Sequence, residues 1–333
     1  LFANDLSRDA EEVFCFNHRP KQFMRENALS LIDSTQNLTL DGLKLPSVEE
    51  TRLIPDLEKL KGDVDILLAG PPCEGNSNLN NLTRRIDPRN ELYVLSVLIG
   101  IVLKARIILI ENVPTVKSAR QKVVERSKLM LSKNGYDIKD SEFMLSGTNH
   151  LVPQTRKRHF LVAVKNEFAT EKTDLSNVIF PPMNVGSILQ TSKYYNKGHL
   201  TLDYASEVSP ANAERIKYLH DSDEYDLPDK HRPDCHKLKD HTYPSVYGRM
   251  YPDKPAPTLS TGFLSPGRGR FIHPFEPRTL TCREGARLQG FPLYYNWYPP
   301  GSSLGKTNIS RLIGDAVPPN LGMLALLIGM SKV

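Results

Sequence analysis

The sequence predicts an α/β fold with a mostly parallel sheet, joined to a smaller region that is rich in loops. Along residues 1–165, short apolar strand patterns alternate with helical patterns, which is typical of parallel strands linked by crossover helices. From about residue 170 to 265 the chain is instead rich in Pro, Tyr, Asp, Lys and Ser. Regular patterns return over residues 278–330. We therefore expect three segments, 1–168, 169–272 and 273–333, with the last returning to the first.

In the first segment, apolar runs predict the strands and amphipathic or apolar patterns predict the helices. The helix expected from Glu91 to Lys104 has apolar residues on most faces, so it should be buried. Another helical pattern stops at Asn134-Gly135, a typical helix end. The strands are expected at 64–68, 106–110 and 159–164, and the other helices at 9–17 and 118–133.

In the later segments, the helical signal before residue 265 is confined to 211–220, and short strands are expected beside it. Thr279 or Thr281 could cap a helix that contains residues 283–289. A final helix is expected over 318–330, after a turn at Gly314-Asp315.

Composition excludes several classes of protein. The net charge of +5 and the pI near 8.9 are compatible with a polyanionic partner. The four cysteines lie far apart, with neither a C-x-x-C motif nor a ladder of His and Cys. We expect no disulfide framework, no metal site and a reducing compartment. The sequence shows no signal-peptide pattern, and its longest apolar patch, residues 92–103, is better interpreted as a core helix than as a membrane span.

The most informative motif is Gly70-Pro71-Pro72-Cys73, directly after the apolar run 64–69. Loops at the carboxyl ends of parallel strands line the ligand crevice of open α/β sheets. A cysteine held rigidly there is a candidate nucleophile. The alternative is a small buried cysteine packed under a turn, and the tetrapeptide alone does not decide between them.

Two further polar clusters lie at strand ends. Glu111-Asn112-Val113 follows the second strand, where a glutamate is either a satisfied buried carboxylate or a working acid. The run from Gln154 to Arg158 precedes the third strand. Its alternation directs Gln154, Arg156 and Arg158 to one face of an extended segment, which a merely solvated basic run would not explain.

These clusters, in this order, resemble the DNA cytosine-5 methyltransferase family of the prokaryotic, restriction–modification type. The resemblance spans nearly the whole chain. Each motif is weak alone, but six in the family's order are specific. The matching segments are Gly70-Pro71-Pro72-Cys73, residues 87–92, Glu111-Asn112-Val113, residues 154–158, residues 278–292 and Gly314-Asp315-Ala316-Val317-Pro318-Pro319.

The resemblance implies a Rossmann-like catalytic domain, formed by 1–168 and 273–333, and a target-recognition domain at 169–272. It implies transfer of a methyl group from S-adenosylmethionine to C5 of a flipped-out cytosine in a specific duplex DNA sequence. Cys73 would add to C6 of the base, and a protonated Glu111 would neutralise charge near N3. Arg158, and secondarily Arg156, would hold O2.

The resemblance also implies cofactor and DNA contacts. The cofactor-binding candidates are Asp5 at the ribose, Glu26 and Asn27 near the adenine, Asp315 near the methionine end, and Pro71 and Leu92. The family's Phe-x-Gly-x-Gly loop, expected before Ala3, does not occur in this sequence. The DNA-binding candidates are Ser77, Gln154, Arg249, Arg268 and Arg270. For the basic loop Gly267-Arg268-Gly269-Arg270, a phosphate contact and a plain surface turn are equally favoured.

Where the family has P-C-Q-x-F-S, this chain has Glu74 and Asn76. An unpaired Glu74 would raise the pKa of the neighbouring cysteine. One alternative is therefore a DNA-binding or regulatory homologue with impaired catalysis. Another is an RNA cytosine-5 methyltransferase, although the Cys-Phe-Thr mark of the tRNA-methylating branch is absent. We further expect a monomer in the cytoplasm, associated with the nucleoid and functionally paired with a cognate restriction endonuclease.

Overall fold

The fold is described from a computed structural model. It describes residues 1–36, 38–40, 43–76, 85–139, 141–170, 180–190, 198–237, 245–331 and 333. The strands of the described part are β1 (Phe2–Asn4), β2 (Gln22–Met24), β3 (Ile66–Ala69), β4 (Ile107–Asn112), β5 (Tyr136–Asp137), β6 (Glu142–Ser146) and β7 (Lys157–Lys165).

The strand pairs are of two kinds, parallel and antiparallel. β1 pairs with β2, and β3 with β4, both in parallel. β7 runs antiparallel to β4, β5 and β6. The segment between β6 and β7 holds only a 3₁₀ turn, Gly147–Asn149, and a connection without a crossover helix favours antiparallel pairing. The α/β class is confirmed: β1 and β2 form a two-stranded parallel sheet, and the five-stranded sheet combines the parallel pair β3–β4 with the antiparallel strands β7, β5 and β6.

The helices surround these strands and continue through the second half of the chain. They are α1 (Arg8–His18), α2 (Pro55–Glu58), α3 (Glu91–Val102), α4 (Val123–Lys133), α5 (Val185–Gln190), α6 (Leu200–Asp203), α7 (Pro210–Asp221), α8 (Asp234–Lys237), α9 (Cys282–Leu288), α10 (Lys306–Asp315) and α11 (Pro319–Met330).

Most predicted elements are confirmed within a few residues, but four details are corrected. α4 begins at Val123, after a 3₁₀ segment at Pro114–Ser118. Gly314-Asp315 is the end of the unpredicted helix α10 rather than a turn. Short helices other than α7 occur in residues 169–272, which are called the recognition segment below. In the described part of 170–265, isolated bridges such as that of Arg249 with Ile272 replace the expected strands.

The start of α9 settles which threonine caps it. The Thr281 hydroxyl accepts from the Glu284 backbone N–H, and the Glu284 carboxylate accepts from the Thr281 backbone N–H. This reciprocal capping box satisfies two backbone donors that a helix start would otherwise leave free. Thr279 precedes the cap and is buried.

The core positions the ends of β3 and β4. α3 is buried almost entirely, as its apolar sequence predicts, and contributes to two clusters on one side of the sheet. α11 packs with β4 and β7 on the other side. A fourth cluster joins the recognition segment to α9 and α10, for example through Phe263 and Ile313. β4 is therefore packed by α3 on one face and by α11 on the other.

The stretch Lys306–Met330 is long and apolar enough for a membrane span by composition. It consists of α10 and α11, separated at Ala316–Pro318, and each helix is shorter than the roughly 20 residues that a span needs. Buried residues of α11 face β4 and β7. Packing inside this fold is therefore sufficient to explain the apolar sequence.

Candidate active site

Cys73 follows β3 in a short loop that is tied to β4. The Asn112 side-chain amide donates to the Pro71 carbonyl oxygen over 3.2 Å. The Asn76 backbone N–H donates to the Cys73 carbonyl oxygen over 3.0 Å, closing a tight turn after the cysteine. Pro71 is buried, whereas Cys73 is only partly exposed. The thiol is thus held rigidly at the carboxyl ends of two parallel strands, as the sequence predicted.

Glu111 and Arg158 form an ion pair beside this loop. Glu111 lies opposite Phe160 in the β4–β7 register, so Arg158, two residues before Phe160, is on the same face of the sheet. The Arg158 Nε atom is 2.8 Å from Glu111 Oε1, and both side chains are nearly buried. Burial raises the pKa of Glu111 above its ordinary value, although Arg158 and Arg156 oppose the shift. The carboxyl therefore accepts a proton more readily than an exposed glutamate does.

The Cys73 thiol lies in the field of the same groups. Burial is the largest cause of its raised pKa. Arg158 is the next influence and lowers the pKa, whereas Glu111 and then Asp315 raise it. A thiolate is the reactive form of cysteine, so Arg158 favours reactivity and Glu111 opposes it until it takes up a proton.

Arg156 is fully buried beside Arg158, but it holds the backbone. Its guanidinium donates to the carbonyl oxygens of Leu259, Gly314 and Ala316 at 3.0, 2.8 and 3.3 Å. Burial, followed by the charge of Arg158, lowers the pKa of Arg156 to about 9. Arg156 thus connects Leu259, in the recognition segment, to Gly314, at the end of α10. These contacts lie next to the crevice, which is the opening at the carboxyl ends of β3 and β4.

Gln154 shares this scaffolding arrangement. Its side chain is fully buried, donates to the Leu288 carbonyl and to Gln289 Oε1, and accepts from the Leu259 backbone N–H. The predicted alternation is confirmed, since Gln154 and Arg156 are buried while Thr155 and Lys157 are exposed. With its amide fully engaged inside the protein, Gln154 does not present itself to DNA directly.

Arg249 and Arg270 are also engaged in the fold. Arg249 donates to the Pro274 carbonyl over 2.9 Å and pairs with Asp223 over 2.9 Å. Arg270 donates to the carbonyl oxygens of Tyr225 and Arg249 and pairs with Asp226. These arginines brace the recognition segment. Their burial therefore argues against the direct DNA contacts that the sequence predicted for them.

The remaining DNA-binding candidates differ. Arg268 is exposed in the 3₁₀ turn Pro266–Arg268, with its side chain against Gly262. In the part of the chain that the structure describes, its side chain has no hydrogen bond or ion pair, so it remains available to a ligand. Ser77 lies outside the described residues.

The cofactor candidates lie after β1, β2 and β3, in α3 and at the end of α10, and their environments differ. Asp5 is exposed directly after β1, and Glu26 is exposed after β2. The Asn27 side chain caps a 3₁₀ turn by accepting from the Leu29 backbone N–H. Leu92 is buried with Phe2 and Leu67 in one cluster, which contributes an apolar wall rather than a polar contact.

Asp315, at the end of α10, lies within electrostatic range of two other carboxylates. Partial desolvation is the main cause that raises the pKa of Asp315, Glu74 and, more weakly, Asp5 add to the shift, and Arg156 and Arg311 oppose it. Asp5 and Asp315 are exposed, whereas Glu74 is paired with Arg89. The exposed carboxylates of Asp5 and Asp315 favour a cationic ligand, and S-adenosylmethionine, with a sulfonium and an ammonium group, fits them. Among the described residues, no group of His, Cys, Asp and Glu side chains has the arrangement of a metal site.

Sequence reasoning missed the ion-pair network around the nucleophile loop. Arg89 pairs with Glu74 and, over 2.9 Å, with Asp87. The acid next to Cys73 is therefore balanced, which answers the concern that an unpaired Glu74 would impair the thiol. In the sequence, Asp87-Pro88-Arg89 stands out only as part of a family motif, although a basic residue near an extra acid is a signal for such a pair. Asn76 is buried, and no described residue hydrogen-bonds to its side-chain amide.

Comparisons with known proteins agree with this geometry. Residues 44–325 match the family described as C-5 cytosine-specific DNA methylase. The chain is 36% identical to the type II methyltransferase M1.BsuMI of Bacillus subtilis, over 98% of this chain and 72% of that protein. It is 32% identical to the type II methylase M.HgiDII of Herpetosiphon aurantiacus, over 77% of this chain and 73% of that protein.

A solved structure shows the same fold at lower identity. It belongs to a prophage-encoded Escherichia coli protein assigned as a DNA modification methyltransferase. The TM-score is 0.62 at 20% identity, covering 99% of this chain and 91% of that one. Family match, sequence relatives and crevice chemistry agree, and this chain belongs to the C-5 cytosine-specific DNA methylase family and is an enzyme of that class.

Proposed function

We propose that this protein transfers a methyl group from S-adenosylmethionine to C5 of a cytosine in a specific duplex DNA sequence. One observation carries the proposal: the Cys73 thiol and the Glu111–Arg158 ion pair occupy adjoining strand ends and perturb one another. A nucleophile beside a glutamate of raised pKa meets the two needs of cytosine activation at once.

The Cys73 thiolate adds to C6 of the base, and the C5–C6 double bond places its electron pair on C5 and, through the ring, at N3. Glu111, in its protonated form, donates that proton at N3, so the ring does not accumulate negative charge. Arg158 faces the carbonyl oxygen O2 and stabilises the same charge through its guanidinium. C5 then acts as the carbon nucleophile that accepts the methyl group.

Release of product reverses the activation. The C5 proton leaves to a base, for which water is sufficient, and its bonding electrons restore the C5–C6 double bond. The Cys73 sulfur departs with the electrons of its bond to C6, and N3 returns its proton to Glu111. Cys73 and Glu111 thereby regain their starting states.

When bound, S-adenosylmethionine supplies an electrophilic methyl group on a sulfonium. The residues that would hold it are Asp5 at the ribose hydroxyls, Glu26 and Asn27 near the adenine, Leu92 and Pro71 as apolar walls, and Asp315 near the ammonium. The exposed carboxylates of Asp5, Glu26 and Asp315 support this assignment because they favour a cation.

DNA is the substrate that the basic pI and the family support. The target base must leave the helix, because C6 is not accessible to a thiol inside the base stack. We assign base selection to residues 169–272 and catalysis to 1–168 with 273–333. We further propose a monomeric, cytoplasmic, nucleoid-associated enzyme that protects DNA against a cognate restriction endonuclease.

Trapping on 5-fluorocytosine duplexes tests the proposal, because fluorine at C5 blocks the final elimination. The full chain is incubated with S-adenosylmethionine and a mixed set of duplexes. We expect a covalent protein–DNA adduct with wild type and with Cys15→Ala, a control at another partly buried cysteine, but none with Cys73→Ala. Binding of DNA without any adduct would overturn the enzymatic proposal and favour a DNA-binding homologue.

A further inference from the structure

A cleft in the recognition segment is separate from the crevice that holds Cys73. It has a volume of about 400 Å³ and lies between one face of α7 and residues 230–237. Ala211, Arg215 and Tyr218 line it from α7, since residues three and four apart share a helix face. Lys230, His231 and Lys237 line the opposite side. None of these residues takes part in the chemistry proposed above.

The charges of the cleft favour an anion. Its lining carries the cations Arg215, Lys230, Arg232 and Lys237 and the acids Glu214 and Asp234, and Arg232 pairs with Asp229 over 3.3 Å. Asp234 is 2.9 Å from Lys237 and is balanced by it. Within the described residues, the Lys230 ammonium has no carboxylate partner and lies 5.9 Å from the centre of the Tyr218 ring. An ammonium group that no carboxylate neutralises can form a charge-assisted hydrogen bond with a phosphate.

The cleft is built rather than incidental. The Arg215 Nε atom donates to the His231 carbonyl over 2.9 Å, and its Nη1 donates to Asn212 over 2.8 Å. The rings of Tyr218 and His231 pack with centres 4.0 Å apart. These contacts fix the guanidinium while its Nη2 makes no hydrogen bond within the described part of the chain. A preorganised donor beside aromatic faces is typical of nucleic-acid contacts.

Contacts link this cleft to the active site. Arg215 lies over the Tyr247 ring, at 5.7 Å from its centre. The Tyr247 backbone N–H donates to the Pro266 carbonyl, at the start of the turn that carries Arg268. Arg268 in turn packs against Gly262, close to the Leu259 backbone that Gln154 and Arg156 hold. Arg215 in the cleft is thus connected to the turn that carries Arg268 through the packing and backbone hydrogen bond of Tyr247.

We propose that the cleft between α7 and residues 230–237 binds a phosphodiester of the DNA backbone, outside the target base pair. The inference rests on the proposed function, since it takes duplex DNA as the ligand. Backbone contacts set the position of a protein on the duplex without reading its sequence. The cleft therefore contributes affinity and register, whereas Cys73 and Glu111 supply the chemistry.

Salt dependence of DNA binding tests this site. Each phosphate contact steepens the plot of log affinity against log salt by about 0.9. We expect Lys230→Gln to lower the slope by about that amount on cognate and unrelated duplexes alike, and Lys230→Arg to retain it. The matched control is Lys133→Gln, an exposed lysine at the end of α4, which should leave the slope unchanged. Equal slopes for Lys230→Gln and wild type would overturn the site.

Two further measurements separate the outcomes. At saturating duplex, Lys230→Gln should form the 5-fluorocytosine adduct as wild type does, because chemistry is untouched. If wild type forms no adduct while the slopes still differ, the phosphate site stands and the proposed chemistry fails. Inorganic pyrophosphate should displace DNA only at millimolar concentrations; tight pyrophosphate binding that Lys230→Gln abolishes would instead indicate a free phosphate ligand and overturn the backbone contact.

Discussion

The crevice at the ends of β3 and β4 and the recognition segment both bury arginines, but the two regions engage them differently. In the crevice, Arg158 pairs with the carboxylate of Glu111 beside the Cys73 thiol. In the recognition segment, Arg249 and Arg270 donate mainly to backbone carbonyls, and their aspartate partners are largely exposed. The first arrangement perturbs titratable groups. The second fixes the chain.

Arg156 shows that the boundary between these uses can fall between neighbouring residues. It is two positions from Arg158, on the same face of an extended segment, yet all its acceptors are carbonyl oxygens. What an arginine does therefore depends on its partners rather than on its motif. A carboxylate partner couples it to proton chemistry, whereas carbonyl partners make it part of the scaffold.

The largest effect is expected at the proton donor. Glu111→Gln should lower the rate of methyl transfer by about 10²–10⁴-fold, because the amide cannot give a proton to N3. Glu142→Gln is the control, since Glu142 pairs with Lys117 and Lys128 on the opposite face of the sheet and should keep most of the rate. Single-turnover assays with labelled methyl donor measure both. If Glu111→Gln and Glu142→Gln lower the rate of methyl transfer equally, Glu111 supports the structure and is not the proton donor.

Next comes the scaffold arginine. Arg156→Leu should lower the free energy of unfolding by about 3 kcal/mol, because it leaves three carbonyl oxygens without their charged donor. Arg268→Leu should change it by no more than about 0.5 kcal/mol, as expected for an exposed side chain. Urea unfolding gives both values. If the Arg156 variant is as stable as wild type but inactive, Arg156 acts in catalysis rather than in holding the fold.

The coupling in the crevice predicts two pH shifts of opposite sign. Arg158 lowers the pKa of Cys73, so Arg158→Ala should move the pH profile of Cys73 alkylation to higher pH. Glu111 raises that pKa, so Glu111→Gln should move the profile to lower pH. Iodoacetamide labelling followed by mass spectrometry of the Cys73 peptide measures the midpoints. Shifts in the same direction for both variants would contradict the assigned ion pair.

The smallest effect is expected for Glu74→Gln. Glu74 is exposed and already paired with Arg89, so its loss should alter stability by at most about 1 kcal/mol. The midpoint of Cys73 alkylation should shift less than in Arg158→Ala. Arg89→Gln is the companion variant: it releases the charge of Glu74 and should move the Cys73 profile to higher pH, by more than Glu74→Gln moves it in either direction.

The sequence by itself determined the α/β class, the strands β3, β4 and β7, about half of the helices in the described part, and the residues that meet at the crevice. Local patterns carry this information, because an apolar strand that ends at Pro-Pro-Cys or Glu-Asn-Val brings those side chains to the same edge of a sheet. The alternation of Gln154, Arg156 and Arg158 was equally visible, since side chains in extended backbone alternate with a period of two.

Only the tertiary structure decided which of these polar residues face outward and which hold the fold. Polar and cationic side chains are typical of DNA contacts, and this group includes Gln154, Arg156, Arg249 and Arg270. Their hydrogen-bond partners, however, lie tens to more than a hundred residues away in the chain, at Leu259, Gly314, Pro274 and Tyr225. The pairing of Glu74 with Arg89 likewise depends on how two turns meet. Hydrogen bonds between residues far apart in the chain produce no periodic pattern in the sequence. Neither the burial of these side chains nor the identity of their acceptors could therefore be predicted from the sequence.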